Sequence, residues 1–456
     1  MNGKPKYEMD MCSGAVLPKL LLFSLPLMVS SVLQLLFNAA DIVVVGRFAG
    51  DNALAAVGAT SSLISLLTEF FLGFSIGANI IAARQYGGGK QAEMAKTVRT
   101  TMILSMIGGT LLTAAGLLLT EPIMVWMKVD PEIQGQAALY LRIIFAGMIP
   151  MMVYNFGSAV LRAVGDSRRP LYFLAAGGVV NVILNLIFVI IFRMDVAGVG
   201  WATVISQVLS AGLVVLCLMK EKGCLHLDLK RLSPDRRTAV SIIRIGLPAS
   251  TQGVLFCISS VIIQSAVNSF GPDVTAGFSA ANNLGGFVYV ACYTFYQGSI
   301  SFVSQNLGAG RIERIPKVTA AMAILVLSVG TGLGCLAYAF AGELIGIYST
   351  SAAVIAAGVV QTGMITRFYG ICGLMDGLSG VLRGMGSHVM PTVMTLIGAC
   401  SLRIIWVLTF FKMPVFHTLE SLYLTYPVTW VITSVMLIIG YRYTWKKLKK
   451  TFRSGM

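Results

Sequence analysis

Twelve long apolar runs follow one another along the chain, and short polar connectors separate them. Each run holds about 20 or more mostly apolar residues, which is the length that an α-helix needs to cross the hydrocarbon core of a bilayer. The pattern therefore predicts an all-α polytopic membrane protein with twelve transmembrane helices. The runs lie at about 15–46, 53–83, 97–120, 137–161, 171–192, 197–219, 240–270, 274–304, 318–341, 353–382, 389–411 and 419–443.

One connector is written twice. The stretch VLRAVGDSRRP at Val160–Pro170 returns 221 residues later as VLRGMGSHVMP at Val381–Pro391. The same displacement brings Gly87–Lys90 onto Gly308–Arg311, the connector after the second run of each half. Self-similarity over so long a period indicates a duplicated unit. We predict two six-helix repeats, and because six is even, both repeats begin on the same side of the membrane and run parallel.

The boundary between the repeats is predicted in the long basic connector after the sixth run. We expect an N-terminal six-helix bundle at 1–219, a cytoplasmic linker at 220–238 and a C-terminal six-helix bundle at 239–456. A Leu-Pro pair lies in the first helix of each half, with its proline at Pro26 and Pro248. Because a proline removes one backbone hydrogen bond from a helix, both positions are predicted to be hinges.

Composition and charge place these helices in a membrane. Apolar residues make up 56% of the chain, charged residues 12%, and the mean hydropathy is +0.81. The net charge of +15 would suggest nucleic acid in a soluble protein. Here, however, Lys and Arg concentrate in alternate connectors and at both termini, which the positive-inside rule places in the cytoplasm. We therefore expect a multi-pass protein of the cell membrane whose basic residues, Arg162 and Arg383 among them, contact anionic lipid head groups and no nucleic acid.

Cysteine and histidine give no sign of a metal centre or a catalytic site. The eight cysteines are scattered without a C-x-x-C pair, and the three histidines are isolated in connectors. Neither a disulfide framework nor a thiolate metal site is predicted. The sequence also has no H-E-x-x-H and no plausible Ser/His or paired-Asp set, so we expect neither an enzyme nor a cofactor.

Polar residues inside the helices break the symmetry of the repeat. A residue that a shared fold requires should occur in both copies, whereas a site used by only one half should not. At four positions a polar residue of the first repeat corresponds to an apolar residue of the second. The first half is therefore predicted to hold a site of its own. The pairs are Asp41 and Ile263, Asn181 and Leu402, Asn185 and Trp406, and Thr203 and Leu424.

The spacing of these residues is consistent with one pocket. Gln34, Asn38 and Asp41 share one face of the first helix, and Asn181 and Asn185 share a face of the fifth. Ionisable groups at membrane depth are costly and are functional candidates by default. Two structural alternatives stay open: Asp41 could lie near the external end and meet water, and the asparagines could serve helix-to-helix hydrogen bonding.

The doubled six-helix layout, the Leu-Pro pairs, the V-L-R-x-x-G connectors and the G-x-G-[KR] connectors together resemble multidrug and toxic compound extrusion (MATE) transporters over essentially the whole chain. The resemblance implies a V-shaped twelve-helix exporter that works by alternating access. Entry of protons or sodium ions would drive the export of amphipathic, often cationic, small molecules. We expect a monomer with no cofactor beyond the coupling ion. The alternative is a flippase for lipid-linked intermediates, which should show more cationic residues inside its cavity.

In the cation site of the family's N-terminal half, an acidic residue on the first helix works with polar groups on helices four, five and six. The matching residues, and hence the predicted ion-coupling set, are Asp41, Asn155, Asn181, Asn185 and Thr203. Carboxylate and amide oxygens suit hard cations, so Asp41, Asn181 and Asn185 are also the predicted ligands if the ion is sodium. Acidic positions that some sodium-coupled relatives carry in the C-terminal half are Phe256 and Cys372 here, so a second cation site is not implied.

Substrate contacts are predicted at other intramembrane polar residues. Asp376 lies opposite Asn155 in the repeat, and we expect it either to attract a cationic substrate or to pair with Arg403. The full predicted set is Gln34, Asn38, Glu69 and Asp376.

Overall fold

The computed structural model describes residues 7–231 and 233–454, and within them the chain is helical with short connectors. The first repeat forms α1 (Val16–Phe48), α2 (Asp51–Gly87), α3 (Gln91–Trp126), α4 (Pro131–Ala146), α5 (Met148–Ala163), α6 (Arg168–Leu186) and α7 (Asp195–Lys220). The second forms α8 (Arg236–Asn268), α9 (Pro272–Gly308), α10 (Ile315–Ala339), α11 (Ala341–Gly346), α12 (Ala352–Met364), α13 (Tyr369–Gly384), α14 (Val389–Thr395), α15 (Leu402–Leu408) and α16 (Leu419–Ser454). Short π-helical segments follow α6 at Ile187–Ile191 and join α14 to α15 at Leu396–Ser401.

Ten helical segments in the described part of the chain are long and apolar enough to cross a membrane, counting joined pieces as one segment. α4 and α5 form an eleventh span, which is bent by 44° at the break around Gly147. α9 has 37 residues, the same length as its counterpart α2, and completes the set of twelve. The prediction of an all-α membrane protein with twelve helices in two repeats is confirmed.

The backbone repeats as the sequence does. α2 and α9 begin and end 221 residues apart, and so do α5 and α13. The glycines of the duplicated connectors match as well, with φ at +68° for Gly89 and +71° for Gly310, and at +93° for Gly165 and +99° for Gly386. Glycine adopts positive φ without the strain that a side chain would bring. The same residue therefore ends the preceding helix in both copies.

Two compact units make up the described chain. Unit 1 comprises the described residues up to Met9 together with Val29–Leu247. Unit 2 comprises Asp10–Met28 and the described residues from Pro248 onward. The limits of the units thus lie within α1 and α8, close to the proline inside each helix. The sequence boundary at the 220–238 linker refers to the repeats and stays a prediction.

Small residues let the helices of unit 1 approach closely. Gly178 of α6 lies against Phe37 of α1, so that a Cβ on Gly178 would be 1.7 Å from Cε2 of the ring. Gly177 lies against Ser210 of α7, whose hydroxyl oxygen would be 2.1 Å from a Cβ. Small residues at helix crossings allow this kind of close packing within a membrane. α6 is therefore packed tightly against α7, and the Phe37 ring of α1 lies on α6, so that polar residues of the three helices can meet.

Arg383 does not anchor at lipid head groups as the sequence suggested. It is 2% exposed and lies inside unit 2. Its guanidinium donates to the Tyr296 hydroxyl, to Oε1 of Gln252 at 2.7 Å and to Oγ1 of Thr392 at 3.1 Å. Because three polar groups from three helices compensate its burial, this prediction was wrong. The equivalent Arg162 is only half-buried, and its role as an anchor stays a prediction.

Candidate functional site

Three helices of unit 1 meet at the carboxylate of Asp41. Asp41 lies on α1, and Nδ2 of Asn185 on α6 donates a hydrogen bond to its Oδ1. The side chain of Thr203 on α7 forms a second hydrogen bond with Asp41. Hydrogen bonds in which the acceptor is ionised are about twice as strong as neutral ones. Asp41 therefore ties α1 to the two helices that follow it in the site.

The contacts around Asp41 close into a ring. Nδ2 of Asn185 also lies 3.3 Å from Oδ1 of Asn181, and Nδ2 of Asn181 lies 3.4 Å from Oγ1 of Thr203. The Thr203 hydroxyl is 3.0 Å from the carbonyl of Val199. A hydroxyl has one proton to donate, so Thr203 serves either Val199 or Asp41 at any moment. The ring is a coupled network in which a change at one member alters the hydrogen bonds of the next.

Burial differs around the ring. Asn185 is fully buried and Asn181 is 5% exposed, whereas Asp41 and Thr203 are only partly buried. Oδ1 of Asn185 has no hydrogen-bond partner among the described residues. Buried polar atoms are nearly always paired, so an unused acceptor beside a carboxylate is a place where an ion, a water or a proton donor fits.

The donor set decides which ions suit this place. It offers one carboxylate with neutral amide and hydroxyl oxygens, which are the ligands that hard cations prefer. The described residues contain no group of three or more His, Cys, Asp or Glu side chains that could hold a metal ion. With a single negative charge, the ring suits a proton or a monovalent cation better than a divalent one.

The end of α6 changes its helical geometry directly beyond the ring. The π-helical segment Ile187–Ile191 begins two residues after Asn185. Single π turns inside α-helices are frequently found at functional sites. This local irregularity is a feature of the site that hydrophobic periodicity does not reveal.

Three of the predicted residues do not join the ring. Asn155 donates to the carbonyl of Met151 in its own helix, at 2.9 Å. Gln34 and Asn38 are exposed on α1, on the same face as Asp41 but further towards its N-terminus. Their predicted roles therefore have no geometric support from contacts with Asp41, and they stay predictions.

Tyr140 is a neighbour of Asp41 that the sequence analysis missed. It lies on α4, is 8% exposed, and interacts electrostatically with Asp41. Comparison of the repeats places Tyr140 opposite Gln361. The other site residues stand out because a polar residue in one repeat corresponds to an apolar residue in the other. Tyr140 and Gln361 are both polar, so this difference does not mark the position.

The other predicted carboxylates lie apart from the ring. Asp376 on α13 belongs to unit 2, is 7% exposed, and is hydrogen-bonded by the side chain of Tyr289. The cation that acts on it electrostatically is Arg383. Arg403, the partner considered from the sequence, donates to Thr429 instead. Glu69 on α2 is exposed.

The predicted hinge prolines lie in continuous helices. Pro26 lies inside α1 and Pro248 inside α8. The carbonyl of Pro248 accepts a hydrogen bond from Oγ1 of Thr392 at 3.1 Å. This contact stabilises α8 in unit 2 at the position where the proline weakens the helix ladder. Whether either helix bends during function stays a prediction.

Comparison with known proteins decides the family. The MatE family model matches this chain twice, at residues 26–187 and 248–409, which together make up more than half of its length. The chain belongs to the MatE family. The two matches are the two repeats, and each begins at one of the prolines predicted to be hinges. As a MatE protein it is a multi-pass membrane transporter and not an enzyme, and a transporter of this family takes small molecules as its substrates.

Curated relatives of this MatE protein are named as multidrug resistance proteins. It is 28% identical to the probable multidrug resistance protein YpnP of Bacillus subtilis over 444 residues, which are 96% of this chain and 98% of the relative. It is 24% identical to the probable multidrug resistance protein NorM of Thermotoga maritima, over 88% of this chain and 86% of the relative. Both alignments cover more than four fifths of each of the two chains compared.

Solved structures show the same fold. An outward-facing multidrug resistance MATE family transporter of the MOP superfamily matches with a TM-score of 0.90 and 20% identity, over 98% of this chain and 100% of the other. A MOP superfamily transporter from Pyrococcus furiosus, described by a reversed polarity of its binding pocket, matches with a TM-score of 0.87 and 20% identity over 98% and 99% of the two chains. At this identity the comparison establishes the fold.

Proposed function

We propose that this MatE protein is a secondary active exporter of amphipathic organic compounds, cations among them, driven by the entry of protons or sodium ions. The observation that carries the proposal is the hydrogen bond between Asn185 and Asp41 within a ring of polar groups in one repeat only. The second repeat has Ile263 and Trp406 at these two positions. A structural requirement of the duplicated fold would have been met in both copies.

The ring provides a means to bind a proton. An ionised Asp41 accepts the hydrogen bond from Nδ2 of Asn185, whereas a protonated Asp41 has a hydroxyl to donate. Rotation of the Asn185 amide by half a turn would present Oδ1, which has no partner, to that hydroxyl. The same oxygen, with those of Asp41 and Asn181, would be a ligand for sodium. The amides of Asn181 and Asn185 are thus suited to either occupant, a proton on Asp41 or a sodium ion.

Coupling requires that the occupant favours one arrangement of α1. A ligand shifts a conformational equilibrium only by the difference between its affinities for the two states. Asp41 lies on α1 beyond Pro26, while its partners lie on α6 and α7. A change in the contacts of Asp41 therefore changes how strongly the end of α1 is held in unit 1. Alternating access would follow from bending at Pro26, with Pro248 as the equivalent hinge.

Substrate is proposed to contact the polar groups outside the ring. Gln34, Asn38 and Glu69 are exposed side chains on α1 and α2, available to a bound molecule. Asp376 supplies a negative charge in unit 2, with Tyr289 beside it. A carboxylate flanked by an aromatic ring is a favourable environment for an organic cation. The protein is proposed to act as a monomer in the cell membrane, with both termini in the cytoplasm and its basic loops on anionic lipid.

The alternative function, a flippase for lipid-linked intermediates, has one observation in its favour. Such a protein should carry cations in its interior, and unit 2 buries Arg383 and Arg403 to 2% and 5% exposure. Arg383, however, is already engaged by three acceptors. Transfer of a pyrophosphate-linked lipid between the leaflets of proteoliposomes, without efflux of organic cations, would favour this alternative.

Efflux from proteoliposomes tests the proposal. Vesicles containing the purified protein and loaded with ethidium would be given a proton gradient in one experiment and a sodium gradient in another. We expect gradient-dependent loss of ethidium under at least one of the two. Loss at the rate of protein-free vesicles under both gradients, for ethidium and for a panel of other amphipathic cations, would contradict secondary active export.

A further inference from the structure

Arg403 in unit 2 is a buried guanidinium surrounded by aromatic rings. It is 5% exposed, and its Nε donates to Oγ1 of Thr429 at 2.8 Å. Its guanidinium carbon lies 4.2 Å from the ring centre of Tyr426 and 5.5 Å from that of Trp430. All three partners lie on α16. The π-helical segment Leu396–Ser401 ends two residues before Arg403. Arg403 lies at the start of α15, and its side chain contacts α16.

Among the described residues, no carboxylate forms an ion pair with Arg403. The groups that act on it electrostatically are Tyr426, Tyr369, Cys372 and Cys400, all of which are neutral in their usual state. Asp376, the nearby acid of α13, interacts instead with Arg383. A buried charge without a counterion is costly, and intramembrane charges are functional candidates for that reason. Cation–π contacts offset only part of such a cost.

Arg403 also has a donor to spare. Its Nη2 is buried and has no hydrogen-bond partner among the described residues. The planar guanidinium presents its N–H groups as a fork that matches the two oxygens of a carboxylate. With Nε bonded to Thr429, the outer edge of the fork is the part left for a ligand.

The surrounding rings form a wall suited to an aromatic ligand. Tyr369 and Trp430 lie 5.6 Å apart between ring centres, and Tyr426 and Trp430 lie 5.7 Å apart. Tyr369 and Tyr426 are partly exposed, whereas Trp430 is 3% exposed. The first repeat has only apolar residues at the positions of Arg403, Tyr369, Tyr426 and Trp430, namely Val182, Met148, Ile205 and Leu209. The group is therefore a feature of the second repeat alone.

We propose that Arg403 binds the carboxylate of an aromatic substrate whose ring packs on Tyr369 and Tyr426, the two partly exposed rings of the group. The site is separate from the Asp41 ring and extends the substrates from cations to aromatic carboxylates. The proposal rests on the proposed export only in treating the ligand as cargo.

Binding to the full-length protein in lipid nanodiscs tests this without any gradient. The probes are 1-naphthoate and 1-naphthylmethylammonium, which share a ring system and carry opposite charges, with affinity measured by titration calorimetry. For the wild-type chain we expect naphthoate to bind and benzoate, but not benzylammonium, to displace it. Absence of naphthoate binding to the wild-type chain would overturn the proposal, whatever the efflux assay shows. Loss of efflux with naphthoate binding intact would contradict the export function and leave the site in place.

Variants locate the site. Arg403→Gln should weaken naphthoate binding at least tenfold and leave the affinity for naphthylmethylammonium within about twofold, and Arg403→Lys should retain part of the naphthoate affinity. Arg367→Gln is the matched control, since Arg367 also lies over two rings, those of Tyr338 and Phe368, at 5.4 and 5.0 Å. If the Gln variant fails to fold, the Lys variant and the wild-type competition decide. Equal weakening of both probes, or no change in either, would mean that Arg403 only supports the fold.

Discussion

The amide of Asn185 donates a hydrogen bond to the carboxylate of Asp41, although 144 positions separate the two residues in the sequence. The bond joins the end of α1 to the end of α6, directly before the helix passes into its π-helical segment. The acceptor, Asp41, carries the charge of the ring. The strength of this hydrogen bond therefore depends on whether Asp41 is ionised, protonated or bound to a cation. We therefore expect that the occupancy of this one carboxylate determines how firmly α1 is held to α6.

Asp41→Asn keeps the size of the side chain but removes the charge that we propose binds the coupling ion. We expect near-normal expression and loss of gradient-driven efflux to the level of protein-free vesicles, because the ring then has no group that exchanges protons or attracts sodium. The measurement is ethidium efflux under separate proton and sodium gradients.

The control for Asp41→Asn is a carboxylate of the same unit outside the ring. Glu121 is exposed and forms an ion pair with Arg142 at 2.8 Å, and exposed pairs contribute little to stability. Glu121→Gln should transport at the wild-type rate. If Asp41→Asn also does so under both gradients, the ring is not the coupling site.

Asn185→Ala tests whether the ring, and not Asp41 alone, is needed. A hydrogen bond to a charged group contributes about 1.5–3 kcal/mol. If that energy holds α1 in only one of its two arrangements, the efflux rate should fall roughly 10- to 100-fold. Its dependence on pH should change as well, since Asn185 senses the protonation of Asp41.

Thr110→Ala is the control for this change, because the Thr110 hydroxyl is exposed and bonds to the carbonyl of Met106 in its own helix, at 2.8 Å. It should leave the efflux rate unchanged. A lower melting temperature of Asn185→Ala together with a wild-type rate and pH profile would show that Asn185 only holds α1 and α6 together.

Much of the fold could be predicted from the sequence, since the twelve apolar runs and the shift of 221 residues are properties of the chain itself. The interruptions within the helices were harder to predict from the sequence. The 44° bend between α4 and α5 and the π-helical turns leave the hydrophobic pattern intact, so an apolar run does not reveal them. α9 illustrates the opposite case: it is a helix of 37 residues, yet it is not among the ten segments of the described chain that are apolar enough by composition to cross a membrane.

The site was predictable where the two repeats differ in polarity. Four polar residues correspond to apolar residues in the other copy, and the structure brings all four together: Asp41, Asn181, Asn185 and Thr203. Arg383 was misjudged because an arginine shared by both copies resembles a head-group anchor. Its burial depends on Gln252 and Tyr296, which are remote in sequence and whose positions only the packing of helices determines.

Arg383→Met should destabilise unit 2. The change removes the hydrogen bonds from the guanidinium to Gln252, Tyr296 and Thr392, and the loss of a partner by a buried polar group costs about 1–3 kcal/mol. We expect a clearly lower melting temperature of the purified protein in detergent. Arg442→Met, which removes an exposed arginine of α16, should melt as the wild type does. Equal melting of the two variants would mean that Arg383 is better hydrated than its burial implies.

The contact between the Phe37 ring of α1 and Gly178 of α6 can be tested by substitution of the glycine. A methyl group at this position would lie 1.7 Å from Cε2 and 2.1 Å from Cζ of Phe37, so the ring or the helix must move. Since the same two helices carry Asp41 and Asn185, we expect Gly178→Ala to impair efflux. Gly212→Ala in α7, where a Cβ meets nothing within 4 Å, should be harmless or stabilise the helix by up to about 1 kcal/mol.

Removing the obstructing ring should reverse the effect of Gly178→Ala. In the double variant Gly178→Ala/Phe37→Ala the new methyl group has room, so efflux should recover relative to Gly178→Ala, even though Phe37→Ala alone loses some packing. The coupling energy from such a cycle isolates the contact between the two residues. Additive losses in the double variant would show that Gly178 matters for another reason, such as backbone flexibility in α6, and that the distance between α1 and α6 at this point does not limit transport.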